Sequence, residues 1–298
     1  MLVAATPSLR SKVSAYVALM KLRIVELLLV TTVPTQIVAA EGMPSTWLIL
    51  TTVVGGTLAA GGAHAINMYV DRDIDALMER TQDRPLVTGV IEPRNALVFA
   101  GVLEVAAFVL LWTTVNLLSA VLAVAACLFY VFVYTLWLKR TSSQNIVIGG
   151  AAGAVPTLIG WSSVTNELAW APVILFAVIF FWTPPHFWAL AIKYKDDYAA
   201  AEVPMMPVVA DPRSTCLQMI GYTVVTWALT LLFAPVAGMG AIYVVAALAT
   251  GAVFTLQTVR LLFDPTPARA MRVFGWSISY VSLLFGAMAL DQLVRTGL

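Results

Sequence analysis

The sequence predicts an all-α integral membrane protein with nine transmembrane helices and a cytoplasmic N-terminus. Of its 298 residues, 60% are apolar and only 11% are charged, against about 25% charged in an ordinary soluble domain. Nine runs are long and apolar enough for a helix of about 20 residues to cross a bilayer. A soluble chain would need more charge to cover its surface, and a disordered chain would have fewer apolar residues.

The nine predicted spans are separated by breakers or charges. Residues 41–44 separate the first two spans, and the polar stretch 71–94 separates the second and third. Lys139 and Arg140 end the fourth span, and residues 264–267 precede the ninth. The third and fourth spans are joined by only a few residues. The predicted spans are 22–40, 47–69, 95–113, 116–138, 145–163, 170–191, 215–236, 239–261 and 273–293.

The basic residues predict the orientation. With the N-terminus inside, 16 of the 17 lysines and arginines lie on inner segments, and only Arg295 lies outside. This is the bias that the positive-inside rule expects, and a missed or extra span would disturb it. No secretory signal pattern and no long transit segment are present at the N-terminus. We therefore expect a multi-pass protein of a bacterial inner (plasma) membrane.

Two function classes are disfavoured by the remaining composition. The net charge is +1, so no basic surface for nucleic acid is indicated. Cys127 and Cys216 lie far apart and outside any C-x-x-C spacing, so neither a metal finger nor a disulfide framework is indicated.

A first polar cluster follows the second span. Asn67, Asp71 and Asp75 are spaced i, i+4 and i+8, so on a continuing helix they share one face. Oxygen ligands of this kind suit Mg²⁺, which often bridges carboxylates to substrate phosphates. Arg80 and Arg84 follow and suit an anionic group. The alternative is an ordinary solvated helix end, but in a chain with so few charges the cluster favours a metal–phosphate site.

A second acidic cluster follows the sixth span, on the same side by the charge pattern. Asp196 and Asp197 would face the first cluster across the bundle and help to hold two or three divalent ions around a diphosphate. Without metal, several facing carboxylates would repel one another and some would protonate. The alternative is that Asp196 and Asp197 merely balance Lys193 and Lys195 at the membrane surface.

The sixth span itself contains Pro184, Pro185 and His186. Two prolines are expected to break the backbone ladder and to open or kink the helix. A neutral imidazole after that break can bind iron or relay a proton. Equally, His186 can be a structural residue bonded to a backbone carbonyl that the prolines set free. His64 is interpreted as structural, because nothing nearby completes a ligand set.

These segments resemble the UbiA-type membrane-intrinsic prenyltransferases. The spacing of Asn67, Asp71 and Asp75 is similar to the first acidic motif of that superfamily. Further stretches resemble its heme-farnesylating branch. The second superfamily motif is often D-x-x-x-D, but position 201 is alanine here, as in the short second motif of heme-type members. The matching stretches are 71–75, 80–81, 84–86, 138–141 with Asn145, 149–156, 183–188, 197–198 and 203–209.

The resemblance implies one polytopic domain over residues 1–298, with nine helices around a central cavity that opens to the inner face. Loops at about 70–94 and 192–214 would carry the site. Farnesyl diphosphate and heme B would be the substrates, heme O the product and Mg²⁺ the cofactor. Heme A synthase or heme-copper oxidase assembly proteins would be protein partners.

The resemblance and the chemistry together assign roles to individual residues. The expected catalytic residues are Asp71, Asp75 and Asp197. The expected metal ligands are Asn67, Asp71, Asp75, Asp196 and Asp197. The expected substrate-binding residues are Asn67, Arg80, Arg84, Lys139, Arg140, Asn145, His186 and Lys193.

Two alternative functions are weighed against this one. An aromatic prenyltransferase that makes quinone precursors shares the first motif, but a small phenolic acceptor gives no reason for a histidine beside a proline pair. A secondary transporter also uses intramembrane carboxylates to couple ions. Transporters bind near the bilayer midplane through broken helices, whereas the acidic residues here lie at inner helix ends.

Overall fold

The computed structural model describes residues 9–297 and is all-helical over that range. Nine of the described helices are long and apolar enough to cross a membrane, which confirms the predicted number. The spans, numbered in chain order below, are Leu22–Ala39, Thr46–Val70, Pro93–Thr114, Leu117–Thr141, Asn145–Thr165, Trp170–Lys193, Pro212–Val236, Ala241–Phe263 and Pro267–Thr296. Shorter helices are Leu9–Leu19, Arg72–Asp75, Lys195–Ala200 and Met206–Val209.

Local sequence signals explain where several spans begin. Ser45 accepts a hydrogen bond from the Leu48 amide at 3.2 Å, and Asp211 accepts one from the Ser214 amide at 2.9 Å. Side-chain oxygens at this position satisfy amides that have no partner within the helix. The third, seventh and ninth spans each begin with proline, which has no amide hydrogen to lose at that position.

The fourth span changes its winding toward its C-terminal end. It is α-helical over Leu117–Leu128, π-helical over Phe129–Leu138 and α-helical again over Lys139–Thr141. Thr135 donates to the carbonyl of Tyr130 at 2.8 Å. The wider winding alters which residues face the bundle, and such segments often occur at functional sites.

The sixth span is one continuous helix through Pro184 and Pro185, so the predicted opening of the helix at these prolines is wrong. Both prolines are buried. The Trp182 indole donates to the Ser277 carbonyl on the ninth span at 2.9 Å. The sixth span is thus held against the ninth at this level, and prolines are tolerated inside membrane helices that neighbouring helices support.

The bundle surrounds a space between the first, second, fourth, fifth and sixth spans. The fifth span packs against both the first and the sixth spans. At Gly160 the first span approaches so closely that an added Cβ would lie 2.5 Å from the Thr32 carbonyl oxygen. Glycine at this position therefore allows the two helices to pack. Apolar side chains such as Val98, Trp112 and Val245 are exposed on the outside, as a lipid-facing surface requires.

Candidate active site

The first polar cluster lies on one continuous helical face, as its spacing predicts. The Asp71 amide donates to the Asn67 carbonyl at 2.9 Å, and the Asp75 amide donates to the Asp71 carbonyl at 2.8 Å. The Asn67 amide group also donates to Asp71 Oδ2 at 2.7 Å. Asn67 is 3% exposed, and Asp71 and Asp75 are both 0% exposed. The side chains of the first polar cluster therefore point into the protein and away from the lipid headgroups.

In Asp71 and in Asp75, one carboxylate oxygen pairs with a cationic side chain and the other has no hydrogen-bond partner. Asp71 Oδ2 pairs with the Lys139 ammonium, and Asp75 Oδ2 pairs with Arg84. Asp71 Oδ1 and Asp75 Oδ1 are buried and accept no hydrogen bond. The Oδ1 atom of Asn145 is likewise buried without a donor. Buried oxygens are rarely left without partners, so these atoms are available to bind a cation.

Lys21 is a site residue that no sequence motif indicated. It lies in the left-handed backbone region with φ of 51°, between the helix Leu9–Leu19 and the first span. Its ammonium donates to Asn67 Oδ1 at 2.8 Å. Burial, followed by the positive charges of Arg84 and Lys139, lowers the pKa of Lys21 from 10.5 to about 7. A lysine held among other cations is well placed to bind an anion.

Two side chains of the fourth span, Thr135 and Arg140, also lie beside the first polar cluster. The Asn67 amide group donates to Thr135 Oγ1 at 3.1 Å, and this threonine was also not predicted. Arg140 forms two hydrogen bonds of 2.7 Å to Asp73 and lies 4.0 Å from Asp71 Oδ1. The Arg140 hydrogen bond lowers the pKa of Asp73 to about 2. Arg140 therefore stands at the edge of the site with most of its charge paired.

The second acidic cluster lies against the loop that follows the first. Asp197 Oδ2 accepts the Arg80 backbone amide at 3.3 Å. The Arg80 guanidinium lies 3.4 Å from the Tyr198 hydroxyl and 5.4 Å from the centre of the Tyr194 ring. The two predicted loops thus meet at one end of the bundle. By contrast, Asp196 and Lys193 are exposed at the surface.

The carboxylates alone do not form a complete metal site. Over residues 9–297, no three His, Cys, Asp or Glu side chains gather as a metal-binding group. Magnesium commonly takes only one or two protein carboxylates and completes its shell with water and substrate phosphates. The unpartnered oxygens of Asp71 and Asp75 fit that partial role.

An apolar cavity of about 270 Å³ is lined by the same part of the bundle. His64, Tyr130 and Tyr134 line it close to the polar cluster, since His64 lies one turn from Asn67. The His64 and Tyr130 rings meet edge to face with centres 5.7 Å apart. His64 Nδ1 lies 3.0 Å from the Met20 carbonyl, which supports a structural interpretation of this histidine. The site therefore combines buried charges with an apolar space.

His186 lies on the face of the sixth span that meets the ninth span. Its ring is stacked between Trp182 and Phe274, with ring centres 4.2 and 4.6 Å away. Its Nδ1 atom lies 2.6 Å from Ser277 Oγ. The partner is a hydroxyl, so the expectation of a bond to a freed backbone carbonyl is wrong. Thr183 and Phe187 line the cavity on either side of His186 in sequence.

Comparison with known proteins identifies the class to which this fold and site belong. Residues 28–284 match the model of the UbiA prenyltransferase family. The chain belongs to the UbiA prenyltransferase family, and it is an integral membrane prenyltransferase.

Two relatives of known name are similar to this chain over most of its length. A protoheme IX farnesyltransferase of Clavibacter michiganensis subsp. michiganensis is 56% identical over 287 residues, covering 95% of this chain and 94% of the relative. A protoheme IX farnesyltransferase of Frankia casuarinae is 54% identical over 290 residues, covering 95% and 99%.

Solved structures support the fold. A digeranylgeranylglyceryl phosphate synthase structure aligns with a TM-score of 0.79 at 17% identity, covering 95% of this chain and 99% of that chain. A UbiA homolog from Archaeoglobus fulgidus bound to GPP and Mg²⁺ aligns with a TM-score of 0.65 at 17% identity, covering 92% and 99%. At such low identity these likenesses concern the fold alone.

Proposed function

We propose that this prenyltransferase transfers the farnesyl group of farnesyl diphosphate to a vinyl group of heme B, with addition of water, to give heme O and diphosphate. The observation that carries the proposal is the pair of buried, unpartnered oxygens of Asp71 and Asp75 beside an apolar cavity. An allylic diphosphate has the same two-part chemistry, with a charged head and an apolar tail. The names of the relatives support heme as the acceptor.

Asn67, Asp71, Asp75 and Asp197 are the proposed residues that hold Mg²⁺ on the diphosphate, and Asp196 is the proposed outer ligand. Mg²⁺ is also present with GPP in the A. fulgidus homolog. When bound, the metal supplies positive charge that makes the diphosphate a better leaving group. Asn145 Oδ1, which is buried and unpartnered, would accept a hydrogen bond in the proposed substrate site.

The lysine and arginine side chains of the site are proposed to bind two different substrates. Lys21, Arg84 and Lys139 are buried or partly buried beside the carboxylates and would bind the remaining diphosphate charge, since charge-assisted hydrogen bonds are strong. Lysine and arginine side chains nearer the surface would bind the heme propionates. Those proposed for the propionates are Arg80, Arg140 and Lys193.

The apolar cavity would keep water away from the farnesyl cation until the heme vinyl carbon adds to it. Water then adds to the resulting cation next to the porphyrin and releases one proton, so the reaction balances. His186 is the proposed iron ligand or proton acceptor. Nε2 would serve in either role, because Nδ1 is engaged with Ser277.

We further propose that the site faces the cytoplasm of a bacterial inner membrane. The support is the position of 16 of 17 basic residues on the side that carries the site, as the positive-inside rule expects. Heme A synthase and oxidase-assembly proteins stay predicted partners from the family resemblance.

The decisive experiment incubates the purified protein with heme B, farnesyl diphosphate and Mg²⁺ and identifies the pigment by mass spectrometry. We expect heme O, and we expect none when Mg²⁺ is chelated. A parallel reaction offers a phenolic quinone precursor in place of heme. Prenylation of the phenol without conversion of heme would overturn the proposed acceptor, and metal-independent substrate flux in vesicles would favour transport instead.

A further inference from the structure

The cavity ends at a layer of buried polar side chains, here called the floor layer. Its members come from the first, second, fourth and fifth spans, and each is at most 5% exposed. They lie at the end of the cavity remote from Asp71 and Asp75. The floor layer consists of Gln36, Thr52, Ser119, Ser162 and Ser163.

Helical spacing places the floor layer one turn beyond the cavity wall. Thr32, Gly56, Ala123 and Ile159 line the cavity. Four of the floor residues are each four positions farther from the polar cluster than the lining residue on the same span, and Ser162 is three positions farther than Ile159. Four residues are about one helical turn, or roughly 6 Å at 1.5 Å per residue. Thr52 belongs to both sets, because it also lines the cavity.

Hydrogen bonds join the floor layer across the spans. The Gln36 amide group donates to Thr52 at 3.0 Å and to Ser163 at 2.9 Å. Ser119 and Ser162 share a hydrogen bond of 2.8 Å. Gln36 is fully buried, yet its Oε1 atom has no donor. A cross-linked polar layer therefore lies beyond this end of the cavity, and it offers nothing favourable to an apolar chain that reaches it.

The cavity volume limits how much chain fits above the floor layer. An engineered apolar cavity of about 150 Å³ binds one benzene molecule. On that scale a cavity of about 270 Å³ holds roughly two isoprene units. The first isoprene unit of an allylic diphosphate must stay at the mouth, next to the leaving group. Three units then fill the available space, and a fourth would meet Gln36.

We propose that the floor layer sets the length of the prenyl chain that this enzyme accepts, with Gln36 as the residue that excludes a fourth isoprene unit. The inference rests on the proposed prenyl diphosphate substrate but not on the identity of the acceptor. Polar residues between membrane helices also serve as packing contacts, so the test must separate chain length from stability.

The test measures Mg²⁺-dependent binding of geranyl, farnesyl and geranylgeranyl diphosphate to the purified protein, which needs no acceptor. Gln36→Ala removes the amide and opens space. Thr52 and Ser163 keep their own bonds to the Leu48 and Gly160 carbonyls, so no hydroxyl donor is orphaned. We expect the affinity for geranylgeranyl diphosphate relative to farnesyl diphosphate to rise about tenfold or more. Gln36→Leu keeps nearly the same volume, so the ratio should rise much less than in Gln36→Ala.

A second variant shortens the cavity instead of deepening it. Gly56 lines the cavity, and an added Cβ there meets nothing within 4 Å. Gly56→Leu should weaken farnesyl diphosphate binding about tenfold or more while leaving geranyl diphosphate binding nearly unchanged. Gly286→Leu is the matched control, because Gly286 also has open space around it but does not line the cavity.

Opposite shifts in the two variants, with unchanged melting temperatures and unchanged binding in the Gly286 control, support the inference. Folded variants that keep the wild-type order of affinities would show that the floor layer is only a packing contact. If the wild type binds farnesyl diphosphate and the shifts occur but heme is not converted, heme is not the acceptor. The proposal that the floor layer sets the chain length is then still supported. If the wild type binds none of the three diphosphates, both proposals fail.

Discussion

The two ends of the helical bundle both bury carboxylates, and they satisfy them in opposite ways. At one end, Asp291 accepts the backbone amides of Gly240, Ile242 and Tyr243 at 2.6, 3.1 and 3.3 Å. At the other end, Asp71 and Asp75 pair with cations through one oxygen and leave the other oxygen without a donor. Asp291 is 1% exposed and the other two are 0% exposed, so burial does not distinguish them.

The difference distinguishes a carboxylate that stabilises the fold from the carboxylates that are proposed to bind a cation. Asp291 caps the start of the eighth span, where the helix dipole and free amides favour negative charge. Both of its oxygens are used, so nothing further is needed at that end. The unpartnered oxygens of Asp71 and Asp75 remain costly until a cation binds. Of these three buried aspartates, the two that keep an unpartnered oxygen therefore lie at the end that carries the candidate site.

The largest expected effect comes from removing a carboxylate at the site end. Asp71→Ala or Asp75→Ala should lower the rate of prenyl transfer at least about a thousandfold, since each would remove a charge that is proposed to hold the metal and the leaving group. The initial rate of heme O formation measures this. Near-normal turnover in either correctly inserted variant would contradict the metal-binding role.

Removing the structural carboxylate should produce the opposite phenotype. Asp291→Ala leaves three amides without acceptors and should lower the free energy of unfolding by about 3 kcal/mol. We expect kcat/KM to stay within about twofold of wild type for the fraction that remains folded. Thermal denaturation in detergent, followed by rate measurements below the transition, tests both. A large loss of rate at full stability would remove the distinction between the two ends.

Ligand binding should stabilise the protein through one end only. Farnesyl diphosphate with Mg²⁺, at about 100 times the dissociation constant, should add about 2.7 kcal/mol of stability to the wild type. Asp291→Ala should gain the same amount from its lower starting value, whereas Asp75→Asn should gain little. A thermal shift titration with and without chelator measures these gains. Equal gains in the wild type and in Asp75→Asn would place the binding site elsewhere.

Sequence patterns predicted most of the fold because bilayer thickness dictates helix length. The nine spans and the short link between the third and fourth follow from hydropathy alone. The unbroken helix at Pro184 and Pro185 does not, since packing against the ninth span outweighs the local preference of proline. The π-helical segment Phe129–Leu138 also has no signal in the apolar pattern.

The candidate site was predictable where the residues share one helix. The spacing of Asn67, Asp71 and Asp75 placed them on one face. Lys21 and Thr135 reach Asn67 from other elements, so only the packing of those elements brings them to the site. The side of the sixth span on which His186 lies was equally a matter of packing.

The smallest expected effect concerns the lysine that the sequence did not indicate. Lys21→Met keeps an unbranched side chain and removes the ammonium that donates to Asn67. One charge-assisted hydrogen bond is worth about 1.5–3 kcal/mol, so we expect the KM for farnesyl diphosphate to rise about tenfold or somewhat more. The value of kcat should change little, because Lys21 would bind the diphosphate equally before and during bond cleavage.

Arg295→Met is the matched control, since Arg295 donates to the Gly238 carbonyl at the opposite end, and its KM should equal that of the wild type. If Lys21→Met instead lowers kcat and leaves KM unchanged, the ammonium acts in the transition state, and the site end contains a catalytic cation as well as catalytic carboxylates.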